Sequence, residues 1–169
     1  MERLIVALVG AGRMGDLRAP ILYANPRIDF LCVVEFDAVK GEQLAKKFNC
    51  KYYKSITEAK NEIPVLNAIV LCTPTFTHTG AIQEAATLGL HIFTEKPIAE
   101  DAKEIQENYK VCRKYNVTLC CGFQRRFDKS YVALRNTVVS GKIGTPKMIH
   151  VFFADHRKSV LPWPILPRC

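Results

Sequence analysis

Apolar residues along the chain fall into short, nearly continuous runs. From Arg3 to Val9 the run Leu4, Ile5, Val6, Ala7, Leu8, Val9 shows no polar alternation, which is the pattern of a strand covered by helices on both faces. Phe30 to Glu35, Asn67 to Cys72, Leu90 to Thr94 and Val117 to Cys121 read as further strands. Between them lie helical stretches. The first runs to about Ala24 and stops at Asn25-Pro26, because proline disfavours helical geometry at the residue before it. A second covers Ala38 to Phe48, and a short one follows Ser55-Ile56-Thr57-Glu58, which fits a capping box. Thr77 to Leu88 and Glu100 to Tyr115 complete the set. Strict alternation with short connections predicts parallel strands joined by right-handed crossovers, an α/β fold with a doubly wound sheet.

The texture changes beyond Gly122. Phe123 to Asp128 reads as a loop, Lys129 to Ser140 as a helix, Gly141 to Pro146 as a turn-rich link and Lys147 to Phe153 as a strand. The predicted organisation is therefore a first domain over residues 1–122, the beginning of an α+β domain over 123–158, and a tail over 159–169. Pro162, Pro164 and Pro167 in that tail suit neither a helix nor a central strand. A strand at Lys147 to Phe153 without partners would be an open edge, so self-association is expected.

Composition narrows the class. With 169 residues, 49% apolar and 24% charged, the chain is long enough for one domain with a real core. No run of about 18 apolar residues suggests a membrane span, and a soluble, cytoplasmic protein is expected. The seven cysteines show neither zinc-site nor redox-motif spacing, so no metal is expected. The net charge of +8 comes from Lys and Arg scattered along the chain, and no nucleic-acid partner is expected from it.

The sharpest chemical signal is Gly10-Ala11-Gly12-Arg13-Met14-Gly15, directly between the first strand and its helix. In a dinucleotide-binding loop the first glycine allows a tight turn, the second lets the backbone approach the pyrophosphate, and the third allows close packing of helix on strand. The phosphates then rest on helix N-terminal amides. Gly10, Gly12, Arg13, Met14 and Gly15 are thus candidate cofactor ligands. Glu35 ends the next strand about 20 residues beyond Gly15, where an acid would bond the adenosine ribose hydroxyls. A carboxylate there would repel a 2′-phosphate, which favours NAD over NADP. Asp37 is a nearby alternative.

Two further strings sit at strand ends, Thr73-Pro74-Thr75-Phe76-Thr77-His78 and Phe93-Thr94-Glu95-Lys96-Pro97, followed by Gly122-Phe123-Gln124-Arg125-Arg126-Phe127-Asp128. With the glycine loop, their order and spacing over about residues 3 to 155 resemble the glucose-fructose oxidoreductase, inositol dehydrogenase and MocA family, most closely its inositol 2-dehydrogenase-like members. The resemblance implies a Rossmann domain and NAD(P)-dependent oxidation of a hydroxyl on a sugar, cyclitol or related polyol. It implies that Lys96 bonds the nicotinamide ribose and the reacting hydroxyl and is the catalytic residue. Thr73, Pro74 and His78 would line the cofactor channel with Glu95, while Arg126 and Asp128 match the strip between domains, Arg126 as a substrate residue. His91 and His150 are expected to be structural.

The family's base, the histidine of an Asp-x-x-x-His motif in a second domain, has no counterpart here, and Ala154 stands before Asp155-His156 where the family often has arginine. The chain is accordingly expected to be a short form with weak turnover or none. The alternative is a non-catalytic module that senses cofactor or pairs with a full-length enzyme. A methyltransferase would leave the Glu-Lys-Pro and Arg-Phe-Asp strings without a reason. Homo-oligomerisation is expected through the second-domain sheet.

Overall fold

A computed structural model describes residues 3–152. The chain divides into two compact units between Gln124 and Arg125. In the first, β1 (Leu4–Val9), β2 (Ile28–Val34), β3 (Lys51–Tyr53), β4 (Ala68–Leu71), β5 (His91–Thr94) and β6 (Leu119–Cys121) form one sheet in the order β3-β2-β1-β4-β5-β6. Every neighbouring pair is parallel. The helices are α1 (Arg13–Ala24), α2 (Ala38–Lys47), α3 (Ile56–Glu62), α4 (His78–Thr87) and α5 (Ala102–Lys114). The expected doubly wound sheet is what the chain forms. β3 was not foreseen: it is three residues long, and only Tyr53 is buried, too short a run to show a period.

Successive residues of a strand point to opposite faces, and the core is sorted accordingly. Ala7, Val9, Ile69, Leu71 and Ile92 pack with Ile56, Ala59, Ile82, Ala85 and Cys112 of α3, α4 and α5. Val6, Leu8, Val33, Ala68 and Val70 pack with Ala19, Leu22, Leu44 and Ala45 of α1 and α2. Burial on both faces is why the strands carry no polar alternation. A fully buried side chain such as Leu8 or Ile69 contributes roughly 1.5–3 kcal/mol through that burial.

The strand register has a functional result. Val9 lies level with Val34 and Leu71, Leu71 with Thr94, and Thr94 with Cys121. Gly10, Glu35, Cys72, Glu95 and Gly122, each one residue further on, therefore emerge along a single edge. At the opposite edge α2, α4 and α5 give way to Asn49, Gly89 and Asn116, all with positive φ, a conformation that glycine and asparagine tolerate best at helix ends.

Helix capping separates α1 from most of its neighbours. Asp37, Ser55 and Asp101 accept from backbone N–H groups at the starts of α2, α3 and α5. Gly12 caps α1 without any side-chain hydrogen bond, so its first-turn amides lack that partner. Among the described residues no helix is long and apolar enough to cross a membrane.

In the second unit a 3-10 turn is completed at Phe127 and α6 covers Lys129–Val139. Asp128 caps α6, accepting from Ser130 N at 3.0 Å and Tyr131 N at 3.3 Å. No residue of α6 is buried, and Leu134 and Val139 are exposed. The strand expected at Lys147 to Phe153 is corrected: Lys147 to Phe152 are irregular, with Met148, Ile149 and Phe152 open to solvent. β-propensity alone does not hold a strand that has no partner to bond. Phe153, Asp155-His156 and the proline-rich tail lie outside the described residues.

Candidate functional site

The three glycines of the first loop answer to different neighbours. Gly10 has φ +101°, and a Cβ there would stand 2.9 Å from the Cys72 carbonyl carbon and 3.0 Å from Thr73 N, so the loop after β1 lies against the loop after β4. Gly15 is tighter, since a Cβ would fall 2.0 Å from Gly10 O. α1 can lie on β1 only with glycine at that position. Gly12 differs: its φ is −82° and a Cβ would meet nothing within 4 Å. No protein atom among the described residues explains the missing side chain, and the open space lies at the uncapped start of α1. The residues therefore fit a dinucleotide, whose pyrophosphate would take the volume a Cβ would fill.

Glu35 sits one residue beyond β2 and is half-buried. Its Oε2 accepts from Ala11 N at 2.6 Å and its Oε1 from Asp37 N at 3.0 Å. The carboxylate holds the glycine loop and the start of α2 together, and each oxygen keeps a lone pair for a further donor. Asp37, weighed beside it, is the cap of α2, bonded to Lys40 N and paired with Lys40 Nζ at 3.1 Å. Those Lys40 contacts hold its carboxyl below the usual range.

The loops after β4 and β5 are tied together by a buried histidine. His78, 1% exposed, opens α4 with Nδ1 2.8 Å from Pro97 O and Nε2 2.9 Å from Thr73 O. It stands behind the channel wall it was expected to line, with both ring nitrogens turned to the backbone. Thr77 Oγ1 is 2.7 Å from Thr73 Oγ1 and also bonds Pro74 O. Glu95, 8% exposed, is likewise turned inward: Arg18 Nε donates to its Oε1 at 2.6 Å, and a second guanidinium nitrogen reaches the same oxygen. Lys96 is exposed.

A groove of about 800 Å³ runs along this edge. Of the sequence candidates, Gly10, Gly12, Arg13, Met14, Glu35, Thr73 and Pro74 line it. Gly15 lies beneath it, and Lys96 stands outside the lining. Arg126, in the second unit, is exposed. The groove adds Phe36, Lys40 and Lys54, which no motif singled out, although the lysines complement a polyanionic ligand. Arg18 was also missed.

Cys72 closes the floor of the groove, 7% exposed, and Cys32 lies in β2. Burial pushes both thiols from 9.0 up to about 12, and the Glu95 charge adds to the effect at Cys72. The native state thus keeps a proton that the unfolded state releases. That contribution is intact below about pH 9 and is lost as pH rises toward about 12. Thermal melting is expected to hold between about pH 7 and 8.5 and to fall steadily above about pH 9. Replacing both cysteines by alanine should make the alkaline limb shallower, with Cys50, raised to about 11, contributing to what is left, and an unchanged limb would remove these two thiols as its cause.

Residues 4–123 match the model of the GFO_IDH_MocA oxidoreductase family, NAD-binding Rossmann fold. An inositol 2-dehydrogenase of Rhizobium meliloti is 32% identical over 148 residues, covering 88% of this chain and 44% of its own length. Among solved structures, a myo-inositol 2-dehydrogenase from Lactobacillus plantarum is 27% identical with a TM-score of 0.77, covering 85% of this chain and 43% of its own. GenD2 from gentamicin A biosynthesis, in complex with NAD, is also 27% identical, with a TM-score of 0.79 and coverage of 84% and 40%. The chain spans less than half the length of these relatives. The glycine loop, the strand order and the match over both central motifs together make this chain a member of the GFO/IDH/MocA oxidoreductase family, carrying its NAD-binding Rossmann fold.

Proposed function

We propose that the chain binds NAD along the groove and that Lys96 serves hydride transfer from a secondary hydroxyl of a polyol, cyclitol or sugar. The observation that carries the reading is Gly12, where a Cβ would meet nothing among the described residues, at the mouth of an uncapped helix. Gly12 and the first-turn amides of α1 would hold the pyrophosphate, with Arg13 and Lys40 supplying positive charge. Glu35 would accept from the adenosine ribose hydroxyls, and its carboxylate disfavours a 2′-phosphate. Thr73 and Pro74 form the wall toward the β5 end.

Bound NAD supplies the hydride acceptor. Lys96 would donate a hydrogen bond to the reacting oxygen and stabilise the charge that develops there as the hydroxyl proton passes to solvent water. The likeness to inositol 2-dehydrogenases supports a cyclitol or similar polyol as the substrate class. The proposed organisation is the Rossmann domain over residues 1–122 with the beginning of a substrate and oligomerisation domain from residue 123. Weak turnover or a purely cofactor-binding role is the second reading.

The test is titration with NADH and NADPH followed by assays on a panel of polyols with NAD. NADH is expected to bind tighter than NADPH, and Glu35→Gln to weaken NADH more than NADPH. Equal losses would take Glu35 out of this role. Turnover that falls about 100-fold or more in Lys96→Met would support Lys96 as the catalytic residue. NADH binding without turnover on any polyol would select the binding-module reading, and absence of NADH binding would defeat both.

A further inference from the structure

Lys96 is an exposed side chain with no ion pair among the described residues, yet both residues beside it are fixed. On one side Glu95 is buried against Arg18, whose guanidinium also lies 5.6 Å from the centre of the Phe93 ring. On the other side the Pro97 carbonyl faces Nδ1 of His78 at 2.8 Å, and the next two residues, Ile98 and Ala99, are buried. The two holds come from different helices. Arg18 belongs to α1, the helix that begins at the glycine loop, and His78 opens α4.

The polar groups around His78 leave it few alternatives. Nε2 faces Thr73 O at 2.9 Å, and the Thr94 hydroxyl, 3.4 Å from Nδ1, donates to Glu95 O at 3.1 Å. Both carbonyls are acceptors and a neutral ring carries one N–H, so a hydrogen bond to Pro97 O requires that proton on Nδ1. A ring that is 1% exposed and meets a backbone carbonyl on each side has no rotameric freedom to lose in a reaction cycle. That is what a support for a reacting group needs.

We propose that Arg18 and His78 are positioning residues that clamp Glu95-Lys96-Pro97 from both sides, so that Lys96 is carried on a fixed backbone tied to the glycine-loop helix. The inference rests on the role given to Lys96 under the proposed function. A tie that merely stabilised the fold would leave the encounter of Lys96 with bound cofactor unchanged once the variants are folded.

Reductive methylation of the full chain, read at Lys96 by mass spectrometry with and without NADH, separates these cases. NADH is expected to slow Lys96 labelling about tenfold in the unaltered chain. His78→Asn keeps an amide donor near the place of Nδ1, toward Pro97, and should retain that protection. His78→Gln keeps a donor near the place of Nε2, toward Thr73, and should lose it to about twofold or less, as should Arg18→Met. NADH affinity, carried by the glycine loop, should stay within about threefold in all of them.

Full protection in His78→Gln and Arg18→Met would overturn the clamp, as would equal loss in His78→Asn and His78→Gln. NADH that binds the unaltered chain without protecting Lys96 would instead overturn the role of Lys96 itself. One measurement needs no variant. Long-range 1H–15N spectra of the unaltered chain should show a proton on Nδ1 of His78, and a bare Nδ1 would overturn the clamp.

Discussion

Gly15→Ala is expected to destabilise the chain by about 3 kcal/mol or more, enough to remove much of the stability of a domain this size. Local propensity points the other way. In a helix interior, alanine is favoured over glycine by about 1 kcal/mol, and Gly15 lies inside α1. The steric term dominates because the new Cβ would stand 2.0 Å from Gly10 O. That oxygen belongs to backbone already held by Gly10 N bonding Val34 O at 2.8 Å and by the close approach to Cys72. Neither side can yield without lifting α1 from β1. Equilibrium unfolding in urea measures the effect, and a loss under about 0.5 kcal/mol would show that the helix shifts freely.

Gly12→Val is expected to do the reverse. A Cβ there meets nothing within 4 Å among the described residues, so the melting temperature should move by only a few degrees. NADH affinity should fall about 100-fold, because the branched side chain would fill the space above the first turn of α1, where the pyrophosphate has to approach the amides. Calorimetric titration at constant salt reads the effect. Undiminished NADH binding by a folded Gly12→Val chain would mean that the phosphates lie elsewhere. The two substitutions, three positions apart in one motif, thus divide the glycines between folding and binding.

Much of this was legible in the chain itself, for local reasons. Leu4 to Val9 and Asn67 to Cys72 announce buried strands because two covered faces leave no polar position, and the glycine spacing places the loop between a strand and a helix. What escaped is what local pattern cannot encode. The Arg18–Glu95 pair joins residues 77 apart in sequence, and nothing around Arg18 distinguishes it from the other scattered cations. His78 was recognisable as part of a motif, but its burial depends on where the Pro97 carbonyl comes to rest. Glu35 stands out in sequence as an acid at a strand end, but its bond to Ala11 N arises only when β1 and β2 lie side by side. The strand expected after Lys147 failed for the opposite reason: its local preference was clear, but pairing is not a local property.

The alignment of strand ends bears on how such a chain can change. The residues proposed to hold the cofactor lie along one edge of the sheet, while Asn49, Gly89 and Asn116 turn the chain back at the other. Those turns lie a full strand length from the groove, so residues there are free to vary with little consequence for recognition, provided the left-handed turn is kept. The loops at the ligand edge are anchored at their roots by the register, and their outer residues can diverge without disturbing the sheet. A scaffold of this kind lets chemistry and foldability drift apart. Selection for a different ligand could rewrite one rim and leave the other rim to maintain the fold.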